Sequence, residues 1–438
     1  MTLSPTRLAR PMTLVCMAVT LAGCIRTPPA ADMRNAISAR GPASVTVPFT
    51  LDDNRMFVDV AFAKADGGLR KTRAFVNMGS GAFVLSNALY RELRADERPL
   101  HLQIGALDIA IDKRAVQPES MANSFTVVLN PFRHETSAAE AAKEPGGELA
   151  SFSAPMQVEA VIPPGLLQHF EPVFDYAART ITLSRPGALP CDGTGIPIRV
   201  NPRTGFATID LTVAGKTIAA VLDNGGSYSA FDSATVSDWV GAHPQWLRSV
   251  GTMGESNFTM SGDIDVGAQV ARLSQARLGP LQLPEIGVVA AAAPGLLGRI
   301  VGHVFWSTYS DKAGEEVHGW IGGNVFKAFR VTLDYEKRMS YWHQEAALDT
   351  HELDQVGITL RREGSRAFVA GIVQKEGKDT VTGLLPGDEI LRIDGREVSR
   401  LTRGELLDSL HGVAGDHRHL VVERDGKTLD VDAPITAF

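Results

Sequence analysis

Ala220-Val221-Leu222-Asp223-Asn224-Gly225-Gly226-Ser227 is the stretch that decides the fold. Three apolar residues run into an aspartate and two glycines, the pattern of a buried strand that ends in a tight turn. Earlier in the chain the pattern stands again as Ala74-Phe75-Val76-Asn77-Met78-Gly79-Ser80-Gly81, with asparagine in the aspartate's place. The surroundings repeat as well. An alternating run precedes each turn, Phe57–Phe62 and Phe206–Val213. A helix-like run follows each, Ser86–Arg94 and Asp232–Val240, with Ser86 and Asp232 placed as N-caps. Phe170 then precedes Asp175-Tyr176 as Phe329 precedes Asp334-Tyr335, and Arg179 and Arg338 lead into closing strands. Blocks of this size are too long for a solenoid repeat. They predict a mostly β chain with two pseudo-symmetric lobes facing each other, residues 45–190 and 191–345.

On these residues the two blocks resemble the lobes of retropepsin- and pepsin-like aspartic peptidases, in which each lobe supplies an Asp-Thr-Gly turn and a later apolar-apolar-Gly strand. The matching later segments are Val161-Ile162-Pro163-Pro164-Gly165 and Trp320-Ile321-Gly322-Gly323. The resemblance implies a cleft floored by Asn77 and Asp223, with Gly79, Ser80, Asn224, Gly225, Gly226 and Ser227 forming its turns. It also implies acid–base hydrolysis by two carboxyl groups sharing one proton, without cofactor or metal. The sequence departs from that pattern at three points. Asn77 replaces one aspartate, and an amide cannot share a titrating proton. Met78 and Asn224 replace the family's threonines, and Pro163-Pro164 is expected to interrupt the strand behind Asn77. The expectation is a pseudo-peptidase that binds peptide or protein without cutting it. The alternative is an active aspartic endopeptidase using Asp223, and a purely structural Asx-turn role for Asp223 is the plainest reading.

Residues 355–438 carry Gly383-Leu384-Leu385-Pro386-Gly387-Asp388-Glu389-Ile390-Leu391-Arg392-Ile393-Asp394-Gly395 and an Asp425-Gly426 hairpin signal. This block resembles a bacterial PDZ domain of the kind joined to envelope proteases. The resemblance implies that an extended peptide adds to a sheet edge beside a helix. Val356, Gly357, Ile358 and Thr359 would form the carboxylate loop, and Leu406 on the helical run Thr402–Leu410 would line the wall. Residues 343–354 read as a polar linker.

The N-terminus sets the compartment. Arg7 and Arg10 precede a short apolar run, Met12–Ala22, that ends in Leu21-Ala22-Gly23-Cys24. That ending resembles a bacterial lipobox, which implies removal of residues 1–23 and a lipid on Cys24. No aspartate follows Cys24, so the sorting pattern implies an envelope protein facing the periplasm and anchored in the outer membrane. Residues 24–44 read as a tether. Net charge is −7, and losing Arg7 and Arg10 takes it to −9. With no clustered Lys and Arg there is no nucleic-acid surface. Beyond Cys24 the mature chain holds a single thiol, Cys191, so no internal disulfide forms. His417-Arg418-His419 lacks ligand-spaced partners in sequence, and no metal site is expected. Because each chain carries both lobes, a monomer is expected.

Overall fold

The computed structural model describes residues 31–122, 137–143, 146, 147, 149, 153–189, 192–257, 263–290 and 295–438. The lipobox, Cys24 and Cys191 lie outside the described residues. Lobe 1 begins with strands β1 (Ile37–Arg40), β2 (Ser44–Asp52), β3 (Arg55–Ala63) and β4 (Leu69–Val76). The expected tether is therefore shorter than residues 24–44. Met33 is fully buried and β1 pairs with Leu107–Ile111, so apolar burial and strand pairing draw residues from 31 onward into the lobe.

β3 and β4 form a hairpin in register from Met56↔Val76 to Ala63↔Leu69. β5 (Phe83–Leu85) and helix α1 (Asn87–Glu92) follow, and the Ser86 side chain accepts from Leu89 N as the helix cap. β6 (Val158–Ile162) then lies parallel to β4, pairing Val76 with Ile162. This corrects the expectation for Pro163 and Pro164. The strand is complete at Ile162, and Pro163 caps helix α2 (Pro164–Leu167), where a missing N–H costs nothing. β7 (Glu171–Asp175) and β8 (Thr180–Ser184) close the lobe.

Lobe 2 repeats the plan with β9 (Ala207–Val213), β10 (Lys216–Leu222), β11 (Ser229–Phe231) and helix α3 (Ser233–Ala242), capped by Asp232. Helix α4 (Gly295–Ala313) leads to β12 (Gly319–Ile321), helix α5 (Gly323–Phe326), β13 (Phe329–Asp334) and β14 (Met339–Gln344). β10 is parallel to β12, as β4 is to β6. β7 and β13 pair across the lobes, Val173↔Thr332 through Asp175↔Arg330, so one sheet joins both halves. Arg179 and Arg338 sit at equivalent hairpins with φ of 56° and 55°. The architecture is mostly β, with two pseudo-symmetric lobes.

The third domain's main sheet contains β15 (Ile358–Glu363), β16 (Arg366–Ile372), β17 (His417–Arg424) and β18 (Lys427–Thr436), with helix α6 (Arg403–Asp408) packed on it, while Gln374 pairs with Val250 at the edge of the lobe 2 sheet. Asp425 and Gly426 turn the β17–β18 hairpin at positive φ, 51° and 72°. His417 and His419 each pair with a carboxylate across that hairpin, Asp432 at 2.8 Å and Asp430 at 3.0 Å. Among the described residues no group of three potential metal ligands occurs.

The domain is built into the molecule. Met253, Trp306 and Trp320 of lobe 2 share a buried cluster with Leu353, Val373 and Phe438. Arg272, almost fully buried, donates to the carbonyls of Thr350 at 2.7 Å and Phe438 at 3.0 Å. The end of the expected linker is buried too: Glu352 accepts from Gly287 N, and Leu353 is enclosed. Elements joined through one buried cluster are expected to open together. All five tryptophans lie in lobe 2. Urea unfolding followed by tryptophan fluorescence and by far-UV circular dichroism is therefore expected to give coincident transitions. A second dichroism step without a fluorescence change would contradict the shared core.

Candidate functional site

Both glycine turns stop at the same point for the same reason. Asn77 N donates to Ile162 O and Asp223 N to Ile321 O, each at 3.0 Å, so a parallel strand pins each turn from behind. Each side chain then accepts from the amide two residues on. Gly79 N reaches Asn77 Oδ1 at 2.8 Å, and Gly225 N reaches Asp223 Oδ1 at 2.9 Å. The turns face each other. A Cβ on Gly79 would fall 2.0 Å from Asp223 Oδ2, and a Cβ on Gly225 would fall 2.1 Å from Asn77 Oδ1. Each side chain thus rests on the opposite turn's glycine, where any other residue would collide.

The substituted positions beside the pair still reach across. Met78 N donates to Asn224 Oδ1 at 3.1 Å, and Asn224 Nδ2 points at the Met56 sulfur at 3.8 Å. Gly226 packs against the Trp320 ring, while Ser227 O accepts from Asn54 Nδ2 at 3.1 Å. Ser80 bonds back to Ala82 O at 2.9 Å. The cleft residues named from sequence are therefore brought together on one floor.

Four residues that sequence reasoning missed complete the site. Tyr309 of α4 donates its hydroxyl to Asp223 Oδ2 at 3.1 Å. A Cβ on Gly79 would also meet that hydroxyl at 2.6 Å, so Tyr309 stands over both turns. One helical turn on, the Lys312 side chain lies against Gly81, where a Cβ would meet its Cε at 3.0 Å. Helix α4 is fixed there by Asn201 and Thr204, which donate to Lys312 O at 2.9 and 2.7 Å. An aromatic cluster of Phe206, edge-on, and Phe305 and Trp320, tilted, holds the Tyr309 ring, with centroids 5.0 to 5.9 Å away. Behind the floor, Arg55 donates Nε to Gly225 O at 2.9 Å and pairs with Asp53. No local motif marks Tyr309, Lys312, Arg55 or Asp53, because each reaches the site from a distant segment.

The electrostatics follow from enclosure. Burial pushes the Asp223 carboxyl above the usual carboxylate range, against the opposing pull of its bonds from Gly225, Tyr309 and Gly226 and of the Arg55 charge. Burial also pulls the Lys312 amine down to about 8, partly offset by Asp223. Burial raises the Tyr309 phenol well above its normal value, and the Asp223 charge raises it further. The floor thus holds one carboxyl group, one amide and a phenol donor. Proton sharing between two carboxyls has no second member here. A cavity of about 880 Å³ between α3 and α4, lined by Asp232, Asp238, His303, Trp306, Glu316 and His318, includes neither Asn77 nor Asp223.

In the third domain, Val356, Ile358 and Leu406 are core residues, and Val356 N donates to Leu410 O at 3.0 Å. Gly357 is closely packed by Thr380 and the Phe438 ring. Thr359 is buried and donates its hydroxyl to Thr252 O of lobe 2 at 2.7 Å.

No protein-family model matches the chain, and no curated protein matches it. Among solved structures it is similar to the aspartic proteinase from Irpex lacteus, at 10% identity and a TM-score of 0.38, over 70% of this chain and 98% of that one.

The raised Asp223 pKa sets a pH test. A carboxyl whose folded pKa exceeds its unfolded value of about 3.9 costs stability progressively as pH rises above the unfolded value, in full above the folded one, and costs nothing below the unfolded one. Asp223→Asn keeps an acceptor for Gly225 N and carries no charge. Its urea midpoint is expected to exceed that of the parent at pH 7, with the gain fading as pH falls towards about 4.

Proposed function

We propose that the chain is a catalytically impaired, aspartic-peptidase-like protein that binds peptide or protein rather than cleaving it. The observation that carries this reading is the floor itself: Asn77 occupies the seat opposite Asp223, and the Tyr309 hydroxyl takes the Asp223 oxygen that faces the other turn. Hydrolysis in such a cleft needs one ionised carboxyl to draw a proton from water and one protonated carboxyl to donate to the carbonyl. Asn77 can donate a hydrogen bond but cannot cycle a proton. Tyr309 of helix α4 already occupies a hydrogen-bonding position on Asp223 Oδ2, at 3.1 Å. Losing one member of an acid–base pair lowers the rate by orders of magnitude, on the order of 10²-fold or more.

The remaining parts of the reading are of the same standing. The third domain is PDZ-like and serves peptide recognition, supported by its edge strand β15 beside helix α6. Cys24 carries a lipid that holds the chain in the cell envelope, facing the periplasm from the outer membrane; the Leu21-Ala22-Gly23-Cys24 ending supports this. No helix of the described residues is long and apolar enough to cross a membrane. Both lobes come from one chain, which favours a monomer. The partner is peptide or protein, with no cofactor, metal or nucleic acid.

Peptide cleavage between pH 3 and 6, read with a fluorogenic peptide library, tests the central part. The natural chain is expected to show no turnover. The double variant Asn77→Asp/Tyr309→Phe is expected to gain measurable acid activity, because it restores two facing carboxyls and frees the Asp223 oxygen. Turnover by the natural chain that disappears in Asp223→Ala would establish an active endopeptidase instead. For the anchor, Cys24→Ser is expected to abolish incorporation of labelled palmitate and to move the protein from the membrane fraction to the soluble fraction.

A further inference from the structure

β15 is the end strand of the third domain's sheet. A strand edge flanked by a helix is the geometry in which an extended peptide adds itself, backbone to backbone. Here that space is filled by the same chain. Lobe 2 sends Thr252–Asn257 into it, and Asn257 touches both walls. Its side-chain Nδ2 donates to Leu360 O of β15 at 2.9 Å, standing in for a strand N–H, and its own carbonyl accepts from Arg403 Nη2 of α6 at 2.9 Å. Thr359 of β15 donates to Thr252 O at 2.7 Å. Met253, Ser256 and Asn257 are fully buried. Gly254 lies so close on Gln355 that a Cβ would fall 1.2 Å from its Oε1, and its φ of +40° favours glycine independently.

The same helix reaches the cleft. Arg403 pairs with Asp53, at the tip of the β2–β3 hairpin, and Asp53 also pairs with Arg55. Arg55 then donates to Gly225 O in the Asp223 turn at 2.9 Å. Asp52, one residue earlier, accepts from Thr402 Oγ1 and from Gly404 N at the start of α6. Arg403, Asp53 and Arg55 are all nearly fully buried. Buried charges tolerate the loss of a partner poorly, so α6 cannot shift without disturbing this chain of contacts. Two sites that bias one shared element are thermodynamically coupled.

We propose that Thr252–Asn257 is the resident occupant of the β15–α6 groove, that an extended peptide enters only by displacing it, and that displacement is transmitted through Arg403, Asp53 and Arg55 to the turn holding Asp223. The competing ligand's class rests on the PDZ-like reading above; the intramolecular coupling does not. A second copy of the segment serves as the probe: a fluorescein-labelled peptide of sequence GTMGESN, residues 251–257 of the chain.

The experiment uses the full chain and the variant Asn257→Ala, which removes the bond to Leu360 and keeps the carbonyl that Arg403 reads. Hydrogen exchange read by mass spectrometry is expected to rise at least tenfold together in residues 252–257, 358–363 and 223–227, with residues 171–184 of the interlobe sheet unchanged. A rise confined to residues 252–257 overturns the proposal. The labelled peptide is expected to bind the variant and not the natural chain; equal binding to the natural chain overturns the proposal, since the groove would then be open. A joint rise in exchange with no peptide uptake by either protein supports the coupling and sinks the PDZ-like reading. Arg403→Met is expected to loosen residues 223–227 and 358–363 together. Should it fail to fold, Asn257→Ala still decides.

Discussion

The reciprocal seating of two side chains on two glycines is the contact on which the rest of the molecule depends. Asp223 rests on Gly79, and Asn77 rests on Gly225. Only glycine at these two positions leaves room for that approach. The parallel strands behind each turn fix its height, and the β7–β13 pairing across the lobes fixes its lateral position. The doubled plan of the chain therefore converges on a single pair of polar side chains.

That pair is unequal, and the inequality reorganises its surroundings. A lone carboxyl group in an enclosed floor is expensive to ionise. The structure meets this with local donors: the Gly225 amide, the Tyr309 phenol and the Arg55 charge behind the turn all favour the carboxylate. Lys312 lies close by on the same helix as Tyr309. Helix α4 thus reaches the Asp223 turn through its polar residues while an aromatic cluster anchors it.

Much of this was legible in the sequence, and what was not has a physical cause. The strands, turns and caps of both lobes follow from short-range patterns, such as Val221-Leu222-Asp223 and the capping residues Ser86 and Asp232. The Asp425-Gly426 hairpin was readable for the same reason. Pro163-Pro164 misled because a proline pair reads as a strand breaker, whereas here it opens a helix just past the strand's end. The tether was overextended because Met33 and β1 are stabilised by partners far along the chain, which no local period reveals. Tyr309, Lys312 and the Arg403–Asp53–Arg55 chain were invisible for that reason too: their roles are set by tertiary contacts between segments 86 to 350 residues apart.

The third domain looks from sequence like a module on a linker, yet Leu353, Val373 and Phe438 pack into a buried cluster with lobe 2 and its helix grips lobe 1. Cleft, covering helix and third domain form one mechanical unit around the Asn77–Asp223 floor. Disulfide trapping tests that floor most directly. A disulfide closes only when two Cα atoms lie within about 7 Å and their Cβ atoms point together. The double variant Asn77→Cys/Asp223→Cys should cross-link within the chain under mild oxidation, with peptide mapping locating the bond between the two turns. Persistently free thiols at both positions in a folded protein would place the turns apart and contradict the facing lobes.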